Sequence, residues 1–237
     1  VIYGIGSVIT RFVGLILLPL FTAYLSPEEY GILAMLALLG MVAQPVFSLG
    51  LSAAMGPSYF EEDKIANKSK TVWSVFAINI LSAFILIILA WSCPILLGKI
   101  IRLPENYSFL VSLSLTGTSL TILVTAFMQK IQFDRQARLY VIITVATALV
   151  AVLTSIYTVV FLSWGVYGMV YGQVAGNLIT FLAFLAFGIR DTIPTISSRI
   201  IKELLKLGLP FVPSFAFLFI LMHSNKYILE WSYGLDA

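Results

Sequence analysis

The sequence predicts an all-α protein that crosses a membrane several times. Of its 237 residues, 60% are hydrophobic and 11% are charged, whereas a soluble domain carries roughly 25% charged residues. A chain this apolar cannot cover a soluble domain of its size with polar side chains, but a bilayer can receive the apolar ones. Charged residues are also missing from long stretches of the chain, and these stretches locate the helices.

The charge-free stretches predict seven transmembrane spans. A span needs about 20 residues, so three of the stretches hold one helix each and a fourth holds two. Two glycines and two aromatic residues mark the break inside the fourth stretch, at 163–168. The two ends of the chain carry one basic residue each within a further apolar segment and add one span apiece. The spans lie in 1–25, 31–55, 71–98, 106–129, 139–189 (two spans) and 207–228.

The basic residues alternate between the predicted loops. The loops after spans two, four and six hold ten of them, and the loops on the other side hold two. Because loops rich in lysine and arginine stay in the cytoplasm, we expect a cytoplasmic N-terminus. The net charge of +3 follows this topology and does not indicate nucleic-acid binding. The ten are Lys64, Lys68, Lys70, Lys130, Arg135, Arg138, Arg190, Arg199, Lys202 and Lys206, and the two are Lys99 and Arg102.

A helix-start signal joins the first two spans. Ser26 is followed by Pro27 at the first helical position and by Glu29 three residues on, which is the pattern of a capping box. Span two therefore begins directly after span one. We expect the two spans to form an antiparallel hairpin.

The segment after span six differs from the other loops. Residues 193–206 place isoleucines and leucines on one side of a helix and basic residues on the other, which predicts a short helix in the cytoplasmic membrane interface. We therefore divide the chain into a six-span lobe at 1–188, an interfacial linker helix at 189–206 and the first span of a second lobe at 207–237.

Small and polar residues recur at helical spacing within the spans. Gly168, Gly172 and Gly176 are four residues apart, so they form one face on which another helix can approach closely. Span two carries a similar stripe with the same spacing, and this stripe either lines a cavity or bonds to neighbouring helices. The stripe consists of Gly40, Gln44, Ser48 and Ser52.

Arg11 is the candidate binding residue with the strongest physical argument. A charge near the middle of a span costs about 2.5–3.5 kcal/mol, so a watery cavity or an anionic ligand would have to compensate it. Ser7 lies on the same helical face, four residues earlier. The alternative is an arginine that extends to the membrane surface from near the cytoplasmic end of span one.

Four further polar residues complete the predicted substrate site. His223 and Lys226 share a face of span seven, where Lys226 is either a second cationic contact or an interfacial lysine assisted by Glu230. Gln44 belongs to the stripe on span two, and Asn177 lies on span six. Such residues either contact substrate or hydrogen-bond to neighbouring helices, and the sequence leaves both roles open.

The sequence contains no recognisable catalytic or metal-binding constellation. It has one histidine, no paired carboxylates in a span, no glycine-rich phosphate loop and no cluster of metal ligands. We therefore predict a protein that is not an enzyme and has neither cofactor nor metal. Asp134 is expected to be an ordinary interface residue. Cys93, which precedes Pro94 in an apolar span, is expected to be a buried structural thiol.

Four parts of the sequence carry a family resemblance. They are GLILLPLFT at 14–22 with YLSPEEYG at 24–31, GVYG at 165–168, KLGLPFVPS at 206–214 and NKYIL at 225–229. These segments resemble the polysaccharide and O-antigen (Wzx-type) flippases of the multidrug/oligosaccharidyl-lipid/polysaccharide exporter superfamily. The resemblance implies a MATE-like transporter with two lobes around a central cavity, of which this chain covers the first lobe and the first span of the second. At 225–226 the chain has Asn-Lys where many members have Asp-Arg.

The resemblance implies a specific transport reaction. A flippase would carry a lipid-linked oligosaccharide, joined to its polyprenyl chain by phosphate or pyrophosphate, from the cytoplasmic to the outer leaflet by alternating access. An interior cation would hold the phosphate while the tail stays in membrane lipid. The implied location is the bacterial or archaeal cytoplasmic (inner) membrane. The implied partners are the glycan polymerase and the glycosyltransferases of the same polysaccharide.

Two other functions stay open at this point. A multidrug/cation antiporter of the same superfamily would share the fold, but it would be expected to use a carboxylate inside a span, and the spans have none. A membrane-embedded glycosyl- or acyltransferase would need acidic or histidine catalysts at a membrane face, which are lacking.

Overall fold

The computed structural model describes residues 17, 19–60, 65–101, 103–190, 192–215 and 217. Within them, five helices are long and apolar enough to cross a membrane, and they confirm predicted spans two to six. Spans one and seven fall largely outside the described residues, so they stay predictions together with the proposed domain division. The five helices are Pro27–Phe47, Lys68–Ser92, Glu105–Phe133, Ala137–Phe161 and Gly165–Gly188.

Ten α-helical segments follow one another in the described residues, and the last of them lies at 211–215. Helix α1 is represented by 19–24, and a short 3₁₀ turn at Glu105–Tyr107 precedes α6. Helix α7 continues through one wide π turn, Tyr157–Phe161. The remaining helices are α2 (Pro27–Phe47), α3 (Leu51–Phe60), α4 (Ile65–Ser92), α5 (Pro94–Ile100), α6 (Ser108–Phe133), α7 (Ala137–Ile156), α8 (Gly165–Gly188) and α9 (Ser198–Gly208).

The capping box at the start of α2 is confirmed, and it does more than the sequence predicts. The Glu29 backbone N–H donates to Ser26 Oγ at 3.2 Å, and the Ser26 N–H donates to Glu29 Oε2 at 2.9 Å. The other carboxylate oxygen of Glu29, Oε1, accepts from the backbone N–H of Val166 at 2.9 Å. Glu29 therefore caps two helices, α2 and α8, at what we call the Ser26 end of the bundle.

Helix α2 ends at Phe47, eight residues before the predicted span ends, and this corrects the view of 31–55 as one helix. Leu49 and Gly50 both have positive φ, 51° and 66°, and this conformation interrupts the helix between α2 and α3. A left-handed leucine is uncommon, and Pro45 inside α2 weakens the preceding turn. The predicted polar stripe of span two is consequently divided, with Gly40 and Gln44 on α2 and Ser52 on α3.

Helix α6 lies at the centre of the bundle. Asn79 on α4 donates to the Ile122 carbonyl at 2.9 Å, and Asn177 on α8 donates to the Gly117 carbonyl at 3.1 Å. In return, the Ser112 hydroxyl of α6 donates to the Ala90 carbonyl of α4 at 2.7 Å. Polar side chains therefore bond directly between helices, as expected where no water is present to satisfy them. Residues of α6 also enter both hydrophobic clusters of the interior.

The glycine face predicted on α8 is confirmed, and α7 is its partner. A Cβ at Gly172 would overlap Ser155, and a Cβ at Gly176 would overlap the Ala151 side chain. A Cβ at Gly168 would come within 2.9 Å of Thr158 Oγ1. Ala151, Ser155 and Thr158 are thus a second small-residue face, which lets the two backbones approach closely.

Helix α9 is the predicted amphipathic linker, but it begins at Ser198 and its apolar face packs on protein. Ile200 and Leu204 are buried in the cluster that contains α3 and α4. The backbone N–H of Ser197 donates to Ser74 Oγ at 3.2 Å. At the other end of the helix, a Cβ on Gly208 would meet the Leu49 carbonyl at 2.5 Å, so α9 ends against the break between α2 and α3.

The prediction for Cys93 is wrong. Its side chain is exposed at the junction between α4 and α5. Large apolar residues of α4 are exposed as well, among them Phe84 and Ile88. In a protein surrounded by hydrocarbon an apolar neighbourhood does not imply burial, because the outer surface is apolar too.

Candidate functional site

A groove runs between four helices in the half of the bundle near the Ser26 end. Its volume is about 460 Å³, within the range of small-molecule sites. Helix α2 forms one wall, helices α7 and α8 form the opposite wall, and α1 contributes at one edge. The lining residues are Leu17, Phe21, Tyr30, Leu33, Ala37, Ala151, Val152, Ser155, Met169 and Gln173.

The polar atoms of this groove are neutral and few. The Tyr30 hydroxyl is buried and has no hydrogen-bond partner among the described residues. Leaving such a hydroxyl unpaired costs about 1–3 kcal/mol, so it is a donor that a ligand can satisfy. Gln173 and Ser155 add an amide and a hydroxyl to the lining. The sequence offered no signal for Ser155, which becomes recognisable only once α7 is seen to face α8.

The predicted site residues have different fates. Arg11, Ser7, His223 and Lys226 lie outside the described residues, so their roles stay predictions. Gln44 is exposed on α2. It lies seven residues, or close to two helical turns, beyond Ala37 of the groove and therefore on the same face of the helix.

Asn177 has an interhelical contact in the structure. Its amide nitrogen donates to the Gly117 carbonyl at 3.1 Å, so part of its hydrogen-bonding capacity already ties α8 to α6. Gln173, one turn earlier on the same helix, lines the groove instead. A role for Asn177 in substrate binding stays a prediction.

A partly buried network of charged and polar side chains lies at the opposite end of the bundle, which we call the Asp134 end. Tyr59 Oη donates to Asp134 Oδ1 at 2.7 Å, and Lys130 Nζ lies 3.2 Å from Asp134 Oδ2. Lys130, with a side chain only 9% exposed, also donates to the Arg190 carbonyl at 3.2 Å. Burial raises the pKa of the Tyr59 phenol, and its bond to Asp134 raises it further. Asp134 is therefore not the ordinary interface residue that the sequence predicts.

This network ties three elements together. Helix α3 enters through Tyr59, α6 through Lys130, and the residue after α8 through its carbonyl. The sequence could not reveal the partnership, because Tyr59 and Asp134 are 75 residues apart. No Asp, Glu, Lys or Arg is among the described residues that line the groove, and the described part of the chain holds no group of three metal-ligating side chains.

The geometry therefore suits binding and movement of an amphipathic molecule within a membrane. An apolar groove with neutral donors offers hydrogen bonds and hydrocarbon contacts. The fold and the groove together define the class of protein as a multi-pass helical membrane protein with an apolar groove between its helices. The sequence identifies the protein more narrowly than the fold does. Residues 20–237 match a family described as "Polysaccharide biosynthesis protein". The chain belongs to this family of polysaccharide biosynthesis proteins.

Solved transporter structures have the same fold. A structure titled as MATE in complex with Br-NRF superimposes with a TM-score of 0.74 at 17% identity, over 99% of this chain and 56% of that one. An inward-facing multidrug resistance MATE family transporter of the MOP superfamily superimposes with a TM-score of 0.63 at 16% identity, over 82% of this chain and 48% of that one. This chain thus spans about half the length of both. No curated protein matches it.

Proposed function

We propose that the complete protein flips a lipid-linked oligosaccharide from the cytoplasmic to the outer leaflet, for the synthesis of a cell-surface polysaccharide. Membership of the polysaccharide biosynthesis family over residues 20–237 carries this proposal. The transporter fold supports it, because a glycan on an anionic phosphate cannot cross hydrocarbon unaided. The chain would supply the first of two lobes that rock against each other around the substrate.

The groove favours a transporter of glycan or lipid over an antiporter that couples transport to an ion. Its described lining offers a hydroxyl, an amide and a second hydroxyl but no carboxylate. We propose that sugar hydroxyls exchange hydrogen bonds with such neutral groups, with Gln44 and Asn177 as further candidates. Arg11 and Ser7 on span one, together with His223 and Lys226 on span seven, would hold the phosphate. Arginine suits this role, because its planar guanidinium bonds two phosphate oxygens at once.

A multidrug or cation antiporter is the second candidate, and the fold favours it equally. Two solved neighbours are described as MATE proteins, and one of them is described as a multidrug resistance transporter. The two functions differ in what drives them and in what is carried. Export of a drug against its gradient by this protein, with no effect on surface glycan, would support the antiporter.

Complementation with the complete protein tests the flippase. Wild-type protein is expected to restore surface glycan in a flippase-deficient strain, and Arg11→Ala is expected to abolish this activity at unchanged membrane abundance. Arg11→Lys is expected to be partly active, because lysine keeps the charge but loses the planar fork. Arg135→Ala is the matched control, since Arg135 is an exposed residue of the loop between α6 and α7.

The outcomes separate the alternatives for Arg11. An arginine that only extends to the membrane surface predicts that lysine substitutes fully and that alanine lowers abundance and activity together. Normal glycan export by a well-expressed Arg11→Ala protein would remove Arg11 from the proposed site. Failure of the wild-type protein to complement a strain of matching glycan type would contradict the flippase itself.

A further inference from the structure

A second groove lies beside the linker helix, near the Asp134 end of the bundle. It has a volume of about 470 Å³ and lies between the end of α2, helix α4 and helix α9. We call it the α9 groove. Among the described residues, its lining is apolar except for the Ser82 side chain. The lining residues are Val46, Phe47, Leu49, Ala77, Ile78, Leu81, Ser82, Ile85, Ile201 and Leu205.

The α9 groove is continuous with the hydrocarbon-facing surface of the protein. Leu81 and Ile85, which form part of its wall, are 61% and 45% exposed. Both lie in the transmembrane part of α4, where the surrounding medium is lipid. Lipid chains are therefore the molecules that reach this groove first.

The two sides of α9 explain why its outer wall is open. Ile200 and Leu204 are buried against α3 and α4, so this helix does not insert its main apolar face into the bilayer, as a free amphipathic helix would. Ile201 and Leu205, each one residue further on, form the groove wall. They remain available for contact with a molecule that lies between α9 and α4.

A row of cations borders the same groove. Lys202 and Lys206 follow Ile201 and Leu205 by one residue each, which places them about 100° further around the helix. Both lysines and the nearby Arg199 are exposed, and none of them forms an ion pair with a described residue. The helix thus presents an apolar wall and, adjoining it, three basic residues against one acidic residue, Glu203, which together make a net positive rim.

From this arrangement we infer that the α9 groove binds one anionic phospholipid of the bordering leaflet. An acyl chain occupies the groove between α4 and α9, and the phosphate with its anionic headgroup lies against Lys202, Lys206 and Arg199. The charge complementarity selects an anionic headgroup over a zwitterionic one. The groove supplies what a bare basic loop lacks, namely a fixed place for the chain. This inference concerns the membrane environment of the linker and does not depend on the proposed flippase activity.

Lipid titration of the full chain in mild detergent, followed by native mass spectrometry, tests the proposal. The probes are dioleoyl phosphatidylglycerol and dioleoyl phosphatidylcholine, which share their acyl chains and differ in headgroup charge. Each basic residue near an anionic surface contributes about a fivefold factor. Lys202→Gln with Lys206→Gln should therefore weaken phosphatidylglycerol binding by about 25-fold and leave phosphatidylcholine binding unchanged.

Matched variants separate the site from diffuse electrostatics. Arg135→Gln with Arg138→Gln also removes two exposed charges from the same face of the membrane and should leave phosphatidylglycerol binding within about twofold of wild type. Ala77→Phe fills the groove and should weaken both lipids, whereas Ala34→Phe adds the same ring to the exposed surface of α2 and should weaken neither. Size-exclusion profiles and Tm values show whether each variant is folded.

Four results would overturn the inference. They are equal wild-type affinity for the two lipids, an equal loss in the Arg135/Arg138 variant, and undiminished binding in a folded Ala77→Phe protein. The fourth is displacement of phosphatidylglycerol by an equimolar polyprenyl phosphate, which would make the groove a site for the lipid carrier instead of a membrane phospholipid.

Discussion

The double capping by Glu29 leads to a quantitative prediction about stability. Glu29→Ala removes the acceptor of the Ser26 N–H and the acceptor of the Val166 N–H, both at 2.9 Å. Loss of a helix cap costs about 0.5–2 kcal/mol, and the part-buried bond to Val166 adds about 1–2 kcal/mol because its acceptor is a carboxylate. We expect the free energy of unfolding to fall by about 2–3 kcal/mol. Glu29→Gln keeps one acceptor oxygen and should lose about half as much.

Thermal unfolding in detergent, followed by near-UV circular dichroism, measures this effect. A loss of 2–3 kcal/mol lowers Tm by roughly 4–12 °C in a chain of this length. Glu28→Ala is the matched control, because Glu28 lies in the same first turn and no hydrogen bond joins its side chain to another described residue. A Glu29→Ala protein that melts within 1 °C of the Glu28→Ala protein would refute the double cap.

Gly165 allows a stricter version of the same test. Its φ is 51°, and a Cβ added there would overlap Glu29 Oε1. Gly165→Ala therefore has two costs: backbone strain of about 1–2 kcal/mol and displacement of the Glu29 carboxylate. Only the strain remains when Glu29 is already alanine. The double mutant should consequently be more stable than the sum of the single effects predicts, by about 1 kcal/mol or more; strict additivity would contradict the contact.

The other predictions concern packing, charge and orientation. Gly172→Ala should destabilise the protein by about 1–3 kcal/mol because its Cβ overlaps Ser155, whereas Gly31→Ala, which meets nothing within 4 Å, should be neutral or stabilising; equal melting of the two would contradict the α7–α8 packing. Tyr59→Phe should cost about 1.5–3 kcal/mol at neutral pH. Because the folded pKa of Tyr59 is raised, this difference should shrink as pH rises above about 10, and a difference independent of pH up to 11 would contradict the bond to Asp134. With Cys93 replaced by alanine, a cysteine at Asn106 should react with an impermeant thiol reagent outside intact cells and a cysteine at Ser198 should not; the reverse pattern would overturn the predicted topology.

The parts of the fold that the sequence predicted are those set by local chemistry. Spans two to six follow from uninterrupted hydropathy, and the start of α2 follows from Ser26 and Glu29, which are three residues apart. The glycine face of α8 also needs only helical spacing. Each of these signals lies within a single helix or its cap, so no knowledge of the neighbouring helices is required.

The features that the sequence did not predict depend on contacts between distant segments. Leu49 adopts a left-handed conformation where Gly208, far along the chain, approaches its carbonyl. Asp134 becomes structural only because Tyr59 reaches it from α3. Cys93 has apolar neighbours in the sequence and is nevertheless exposed, because the lipid-facing surface of a membrane protein is as apolar as its interior. Ser155 could not be predicted as a groove residue, because its position depends on the packing of α7 against α8.

Remaining hydrogen-bonding capacity distinguishes structural from functional polar residues in this lobe. Asn177 and Gln173 lie one turn apart on α8, and both carry a side-chain amide of similar polarity. The amide of Asn177 donates to the Gly117 carbonyl, so it contributes to the cohesion of α6 and α8. The side chain of Gln173 is exposed in the groove, opposite a Tyr30 hydroxyl that has no described partner. In a membrane interior a polar group without a protein partner is costly, and a site that binds and releases cargo is where such groups have a use. We therefore propose that a substrate contacts the polar atoms of the groove before it contacts Asn177, whose amide nitrogen is already bonded.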